Sequence, residues 1–332
     1  MDTAILNTPI QVLDQILALN LDVTLWTART KLTAEDFGGV ALPPDELAYL
    51  GSKKIYDTAK LQVFNRLKVR AFSLLDKHGI RFLSGWAIPE DKAGDIIKTL
   101  CAIRDDFYAA KAEFLASYEE GITDWIDRHP TWASIISGST VSKDYVEKRL
   151  SFSWQLYRVA PAVGLTDEEA MTESGLIPEI ENLGSTLFTE ISNDASDIWR
   201  KVFEGKTEVT HKALSPLKTM RNKLNGLSFV EPHVVPVIDL IETALSKIPA
   251  RGIITGASLL MLQGVVSLLK DKAALISQAS AMMMSPAEET MNDFFDAFEP
   301  DTPTLNLEPE TEEGNSMPLY PMAATVDSLG LW

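Results

Sequence analysis

Apolar and polar residues alternate from Leu19 to Trp26 (Leu-Asn-Leu-Asp-Val-Thr-Leu-Trp), which sets Leu19, Leu21, Val23 and Leu25 on one face. A period of two with β-branched and aromatic content predicts a strand. Gly38-Gly39, Pro43-Pro44 and Gly51-Ser52-Lys53-Lys54 then mark a loop. Beyond Asp57, a suitable cap, the spacing changes to three and four. Leu61, Phe64, Leu67, Ala71 and Leu74 predict a helix to about His78, with Gly79 as its stop. Residues 80–88 (Ile-Arg-Phe-Leu-Ser-Gly-Trp-Ala-Ile) again look extended and are expected to pair with the first strand.

Pro89 stands where a helix starts, and Glu90 and Asp91 suit its first turn. From there Ala93, Ile96, Leu100, Ile103, Phe107, Ala110 and Phe114 recur at three and four, a heptad-like stripe. It predicts one long helix of an antiparallel bundle, with an oligomeric coiled coil as the sharper alternative. Further helices are expected at about 144–160, rich in Tyr145, Phe152, Trp154 and Tyr157, and after the capping pair Thr166 and Glu169. Another carries Ile180, Leu187, Ile191, Ile198 and Val202, and one more opens at Pro216. Segments 232–248 and 253–284 read as a helical hairpin. From Ser285 onward Pro, Glu, Asp, Thr and Asn dominate, the composition of a disordered tail. The expected fold is mainly α: an elongated multi-helix bundle with a small two-stranded β element near the N-terminus and a disordered acidic C-terminal tail. Its expected divisions are 1–90, 91–284 and 285–332.

Charge sharpens the view of the tail. The net charge of the 332 residues is -17, yet residues 1–272 hold 36 acidic and 30 basic groups, a net of only -6. After Lys272 there is no Lys, Arg or His, while eleven Asp and Glu fall between Glu288 and Asp327. Among these acids stand Phe294, Phe295 and Phe298, and the chain ends on Trp332. Acidic-aromatic segments of this kind dock in partner grooves, so these four residues are candidate partner-binding positions. The basic residues gather in two stretches. Lys53, Lys54, Arg66, Arg70 and Lys77 belong to the stretch 51–81, and Arg200, Lys201, Lys206, Lys212, Lys218, Arg221 and Lys223 to the second. Each stretch reads as a solvated face, a dock for the acidic tail, or a seat for a phosphate-bearing ligand.

The chemistry of catalysis is missing from the pattern. Cys101 is the single cysteine, so neither an internal disulfide nor a thiolate zinc cluster is available. His78, His129, His211 and His233 form no paired motif. Gly205-Lys206-Thr207 lacks the upstream glycine of a phosphate loop, and Ser215-Pro216-Leu217-Lys218 lacks the companion motif of an acylating serine enzyme. No enzymatic activity, cofactor or metal is therefore expected. Residues 252–269 are uncharged but are interrupted by Thr255, Ser258, Gln263 and Ser267. The run is shorter than the roughly 20 apolar residues of a membrane span, so a buried helix is expected ahead of a subunit interface or membrane association. The N-terminus lacks a signal-peptide pattern, which points to the cytoplasm.

Three blocks carry a resemblance: residues 19–29 (Leu-Asn-Leu-Asp-Val-Thr-Leu-Trp-Thr-Ala-Arg), Gly51-Ser52-Lys53-Lys54, and residues 79–89 (Gly-Ile-Arg-Phe-Leu-Ser-Gly-Trp-Ala-Ile-Pro). Trp125-Ile126 and His129-Pro130-x-Trp132 are similar to a fourth block. Over about residues 10–270 the chain resembles a domain-of-unknown-function family from bacteria, phages and integrative mobile elements. The genes of that family often lie beside those for a MoxR-type AAA+ ATPase and a von Willebrand factor A-domain protein. The resemblance implies a non-catalytic adaptor or client of that ATPase and A-domain assembly, acting by protein–protein binding. It assigns no role to any residue. Two further classes stand beside it: a self-assembling structural protein, using the 93–114 stripe and the 252–269 helix, and a nucleic-acid accessory protein using the basic faces 51–81 and 200–223.

Overall fold

A computed structural model describes residues 9–39, 51–160 and 176–284. The expected tail, the partner-binding residues Phe294, Phe295, Phe298 and Trp332, and the Thr166–Glu169 cap all lie outside these residues. The described residues belong to one compact unit.

The chain enters through a short helix, α1 (Pro9–Asp14), and then runs into the first strand, β1 (Ile16–Thr24). This strand begins earlier than the alternation suggested, because its first half is apolar on both faces. Ile16 and Ala18 point into one core, and Leu19, Leu21 and Val23 into another. Strands covered on both sides read as continuous apolar runs, and side chains two apart share a face. A hairpin of β2 (Arg29–Lys31) and β3 (Ser52–Lys54) follows. The helix α2 (Gln62–His78) ends where expected and leads into β4 (Ile80–Phe82) and β5 (Gly85–Pro89). As expected, β5 pairs with β1, antiparallel, with Leu19 opposite Trp86.

The sheet is wider than the two strands expected. Segment 144–160 is not one helix: α6 (Lys143–Lys148) stops, and β6 (Ser151–Tyr157) pairs antiparallel with β1 along seven positions. The result is a four-stranded sheet in the order β4-β5-β1-β6. The reason lies in Ser-Phe-Ser-Trp-Gln-Leu-Tyr, which alternates with a period of two. Its aromatic side chains suit a pleated, half-buried surface.

Helices cover both faces of this sheet. On one face lie α2 and the 27-residue α3 (Glu90–Ala116), and α4 (Tyr118–Asp127) follows α3. The α3 stripe is used inside the chain: Ala93, Ile96, Leu100, Ile103, Phe107 and Phe114 are all buried, so it offers no coiled-coil seam. On the other face lie α7 (Leu176–Ile198), α8 (Leu214–Gly226), α9 (Val234–Ser246), α10 (Gly256–Lys270) and α11 (Lys272–Met284). The expected second arm of a hairpin is thus two helices. The break falls at Asp271, whose carboxylate accepts from the N–H groups of Ala273 and Ala274 (2.9 and 3.1 Å) and caps α11. Leu259, Leu262, Val265, Val266 and Leu269 of α10 are buried within the chain, which removes this helix as a ready-made subunit face. No helix among the described residues is long and apolar enough to cross a membrane.

Candidate binding groove

Two cavities contain residues singled out from the sequence. The first is a groove of about 310 Å³ between the β2–β3 hairpin and the helical turns after α4. Its walls are Leu32, Phe37, Trp125, Trp132, Ile135 and Ile136, with Asp36, Lys53, Lys54 and His129 as its polar groups. Each wall has a local cause. Thr33 and Asp36 form a reciprocal capping box on the turn Ala34–Phe37, which leaves Phe37 about half exposed. Pro130 starts the turn Pro130–Trp132 directly after α4, and α5 (Ala133–Ser137) brings Ile135 and Ile136 alongside. Trp132 keeps 57% of its surface in solvent, a large apolar exposure for a residue that lines a cavity.

The groove's polar groups are held in fixed roles. The Nδ1–H of His129 donates to the carbonyl of Trp125 (2.9 Å), so in the neutral ring Nε2 is the free acceptor. The two rings lie 4.1 Å apart. The indole N–H of Trp125 donates weakly to the Lys54 carbonyl (3.4 Å), tying α4 to β3. Over Trp125 lies the Arg128 guanidinium (5.0 Å), which also pairs with Asp57 (2.8 Å). The Asp57 carboxylate accepts from the Ala59 N–H, and together these contacts hold its pKa below the ordinary carboxylate value. Lys53 is paired with Asp36, and this contact with the Thr33 N–H bond lowers the Asp36 pKa. Lys54 is exposed at the rim and has no ion-pair partner among the described residues. A cation beside an indole-lined trough can hold a bulky apolar side chain next to a carboxylate.

The second cavity, of about 430 Å³, sits where α2, α7 and α8 meet, and Asp76, Lys77, Asp194, Asp197, Lys201 and Lys223 line it. Lys223 is 4% exposed and donates to Glu190 Oε2 and to the carbonyl of Asp76 (both 2.7 Å). It thereby links α8 to α7 and to the C-terminal turn of α2, where a cation also suits the helix dipole. Burial pushes the Asp194 carboxyl up, although Lys223 pulls the other way.

The basic faces read from the sequence come apart in three dimensions. Lys53 and Lys54 stand at the groove. Lys77 lies instead at the second cavity, with Lys201 and Lys223 from the other basic stretch. Carboxylates pair with some of the others: Arg70 meets Asp106 (3.1 Å), Arg200 and Lys201 share Asp197 (2.5 and 2.6 Å), and Arg221 faces Glu242 (3.5 Å). Arg66 is exposed on α2. This interleaving is not the uncompensated stripe that tracks a phosphate backbone.

One constellation escaped the sequence because its members are 47 residues apart. His233 Nε2 lies 2.9 Å from Ser280 Oγ, and His233 Nδ1 lies 2.5 Å from Glu231 Oε1. The spacing resembles a serine–histidine–carboxylate relay, but the serine hydroxyl has a second acceptor in reach and lines neither of the two cavities. Ser280 sits in the interior of α11, and its O–H donates to the Ile276 carbonyl (2.8 Å). With Nδ1 facing a carboxylate, Nε2 of the neutral ring is an acceptor, so the single hydroxyl proton of Ser280 is divided between the imidazole and the Ile276 carbonyl. The trio ties α11 to the start of α9. Among the described residues no group of three His, Cys, Asp or Glu could hold a metal ion.

A family model described as a protein of unknown function (DUF3150) matches residues 13–271, which include every residue of the groove. No curated protein and no solved structure matches the chain.

Proposed function

The chain belongs to the DUF3150 family of proteins of unknown function, and from that premise we propose that it works without catalysis, by binding a protein partner in the Trp125–Trp132 groove. The observation that carries this reading is the exposed Trp132 in the same groove as Lys54, whose ammonium has no ion-pair partner among the described residues. Blocks far apart in the sequence, Gly51–Lys54 and Trp125–Trp132, converge there on one cavity. These blocks also carry the family resemblance, whereas in the second cavity Lys201 and Lys223 are already held by Asp197, Glu190 and the Asp76 carbonyl. Aromatic anchors in a pocket dominate the energetics of protein interfaces.

The partner we propose is a member of the ATPase and A-domain assembly: a MoxR-type AAA+ ATPase or a von Willebrand factor A-domain protein. A partner segment with a bulky apolar residue next to Asp or Glu fits the groove by shape and charge. The acidic tail supplies a second, separable contact, since a carboxylate from a ligand commonly completes the metal site of an A domain.

The test is capture of the two proteins from the same genome, co-expressed with the full chain. Trp132→Ala and Lys54→Glu are each expected to weaken capture by about tenfold or more, the effect of removing a hot-spot residue or reversing an interfacial charge. Full capture by both variants, with an unchanged far-UV spectrum, would sink the groove reading. Removing residues 285–332 separates the tail from the groove: loss of capture only on truncation would assign docking to the tail alone.

A further inference from the structure

The two edges of the four-stranded sheet are finished differently. At one edge β4 is three residues long, and its central N–H, that of Arg81, donates to Glu190 Oε1 (3.2 Å). The Arg81 guanidinium lies 3.9 Å over Trp86 and also bonds Asp76 (3.1 Å). This edge is short, charged and capped, as edges that must not pair usually are. At the other edge β6 is seven residues long, pairs with β1 at every one of them, and contains neither a charge nor a proline. Ser153, Gln155, Leu156 and Tyr157 are exposed, Leu156 by 42%. Among the described residues one side chain bonds this edge, Tyr108, whose hydroxyl donates to the Phe152 carbonyl (3.3 Å), and no charge, proline or covering strand protects the rest of it.

We propose that β6 is a dimer seam: a second copy of this chain pairs with it antiparallel, about a two-fold axis at Trp154, joining two four-stranded sheets into one of eight. A two-fold interface needs a patch that is complementary to itself. In this register Trp154 faces its own copy and Phe152 faces Leu156, on the side of the sheet that holds the aromatic core. On the opposite side Ser153 faces Gln155 and Ser151 faces Tyr157. No position opposes like charges, and aromatic and aliphatic pairs across strands are favourable. A charged foreign strand would find no counter-charge among these seven side chains. The strand itself carries no charge, so two copies meet along it without like-charge opposition. This inference is independent of the groove, which lies on other elements.

The experiment is mass by light scattering and sedimentation of the full chain over micromolar to submillimolar concentrations. A species of about 73 kDa, twice 36.6 kDa, is expected. A particle of one-chain mass throughout overturns the proposal. Ser153→Lys combined with Gln155→Lys sets lysine against lysine at two pairs and is expected to raise the dissociation constant by about tenfold or more. A dimer of unchanged strength in that variant overturns the proposal, because another face must then hold it. Mixing the lysine variant with a Ser153→Glu, Gln155→Glu variant is expected to restore the two-chain mass. Failure to restore it places the contact elsewhere and also overturns the proposal. Both positions are exposed, so the fold should survive. If the lysine variant loses its far-UV helical signal, the glutamate variant supplies the same self-repulsion test.

Discussion

The two faces of the sheet support cores of different chemistry. Against α2 and α3 the core is aromatic: Trp26, Tyr56, Phe64, Trp86, Phe107, Phe114, Tyr118 and Phe152 are buried there. Ring centroids lie as close as 5.1 Å (Phe64–Phe107), and Tyr56 and Tyr118 stack at 5.5 Å. Against α7 to α11 the core is chiefly Leu, Ile, Val and Met, with Phe82, Phe188 and Phe203 among them. Aliphatic packing is non-directional, whereas buried tyrosine and indole groups need placed partners. Tyr118 has one, donating to the Val141 carbonyl (2.8 Å), and burial still pushes its pKa up to about 12. Tyr56 has none among the described residues, and its hydroxyl oxygen occupies the space that a Cβ on Gly121 would fill. The aromatic side is thus the one where polar geometry is fixed, and the groove built around Trp125 lies next to it.

Breaking the wall between the cores should do most damage. A Cβ on Gly85 would lie 2.1 Å from the Leu19 carbonyl oxygen, which is backbone and cannot swing aside. Gly85→Ala is expected to cost about 3 kcal/mol or more, read by urea unfolding, because it parts β5 from β1 and disturbs both cores. Next comes Lys223, the polar link from α8 to the end of α2. Lys223→Ala leaves Glu190 and the Asp76 carbonyl without their cation and should cost about 3 kcal/mol, the low end for a broken buried pair since Glu190 is partly exposed. An unchanged midpoint would show that water replaces the ammonium freely.

Two tyrosines sharpen the contrast within the aromatic core. Tyr118→Phe loses a satisfied hydrogen bond and should destabilise by about 1 kcal/mol, whereas Tyr56→Phe removes a buried hydroxyl without a partner and should be neutral or stabilising by up to about 1 kcal/mol. Equal losses in both variants would mean that Tyr56 is satisfied in solution. The smallest effect concerns pH. Burial raises the folded-state pKa of Asp194 above its unfolded value, so its favourable contribution is full below the unfolded pKa and is lost as pH rises through the folded pKa. Asp194→Asn should therefore compare better with the parent at pH 7 than at pH 3. A pH-independent difference in thermal midpoint would remove this account.

Much of the helical layout was legible because periodicity is local. The stripe from Ala93 to Phe114 and the helix ending at His78 follow from spacing and punctuation alone. The strand character of β1 and β5 was legible for a similar reason, although 60 residues and the helix α2 separate the two. What failed was the weighing of two local signals: aromatic content at 151–157 was read as helix although its period of two was visible. At 270–272 the charged triplet Lys-Asp-Lys was passed over between two apolar runs, and its middle carboxylate caps the second helix. For the groove, Lys53 and Lys54 were singled out as basic residues, and Trp125, His129 and Trp132 only as part of a resemblance. Their meeting depends on contacts between β3 and α4, more than 70 residues apart.

By itself, then, the sequence determined the long helices, the first strand and the apolar stripes that must be buried, because backbone sterics and apolar spacing act within a few residues. Only the tertiary structure decided that one sheet would wall off two cores, that Lys77 would leave Lys53 and Lys54 for Lys223, and that β6 would be the edge strand of the sheet among the described residues. These outcomes are set by long-range packing, in which each face goes to whichever distant element can cover it, and no short window of sequence records that choice.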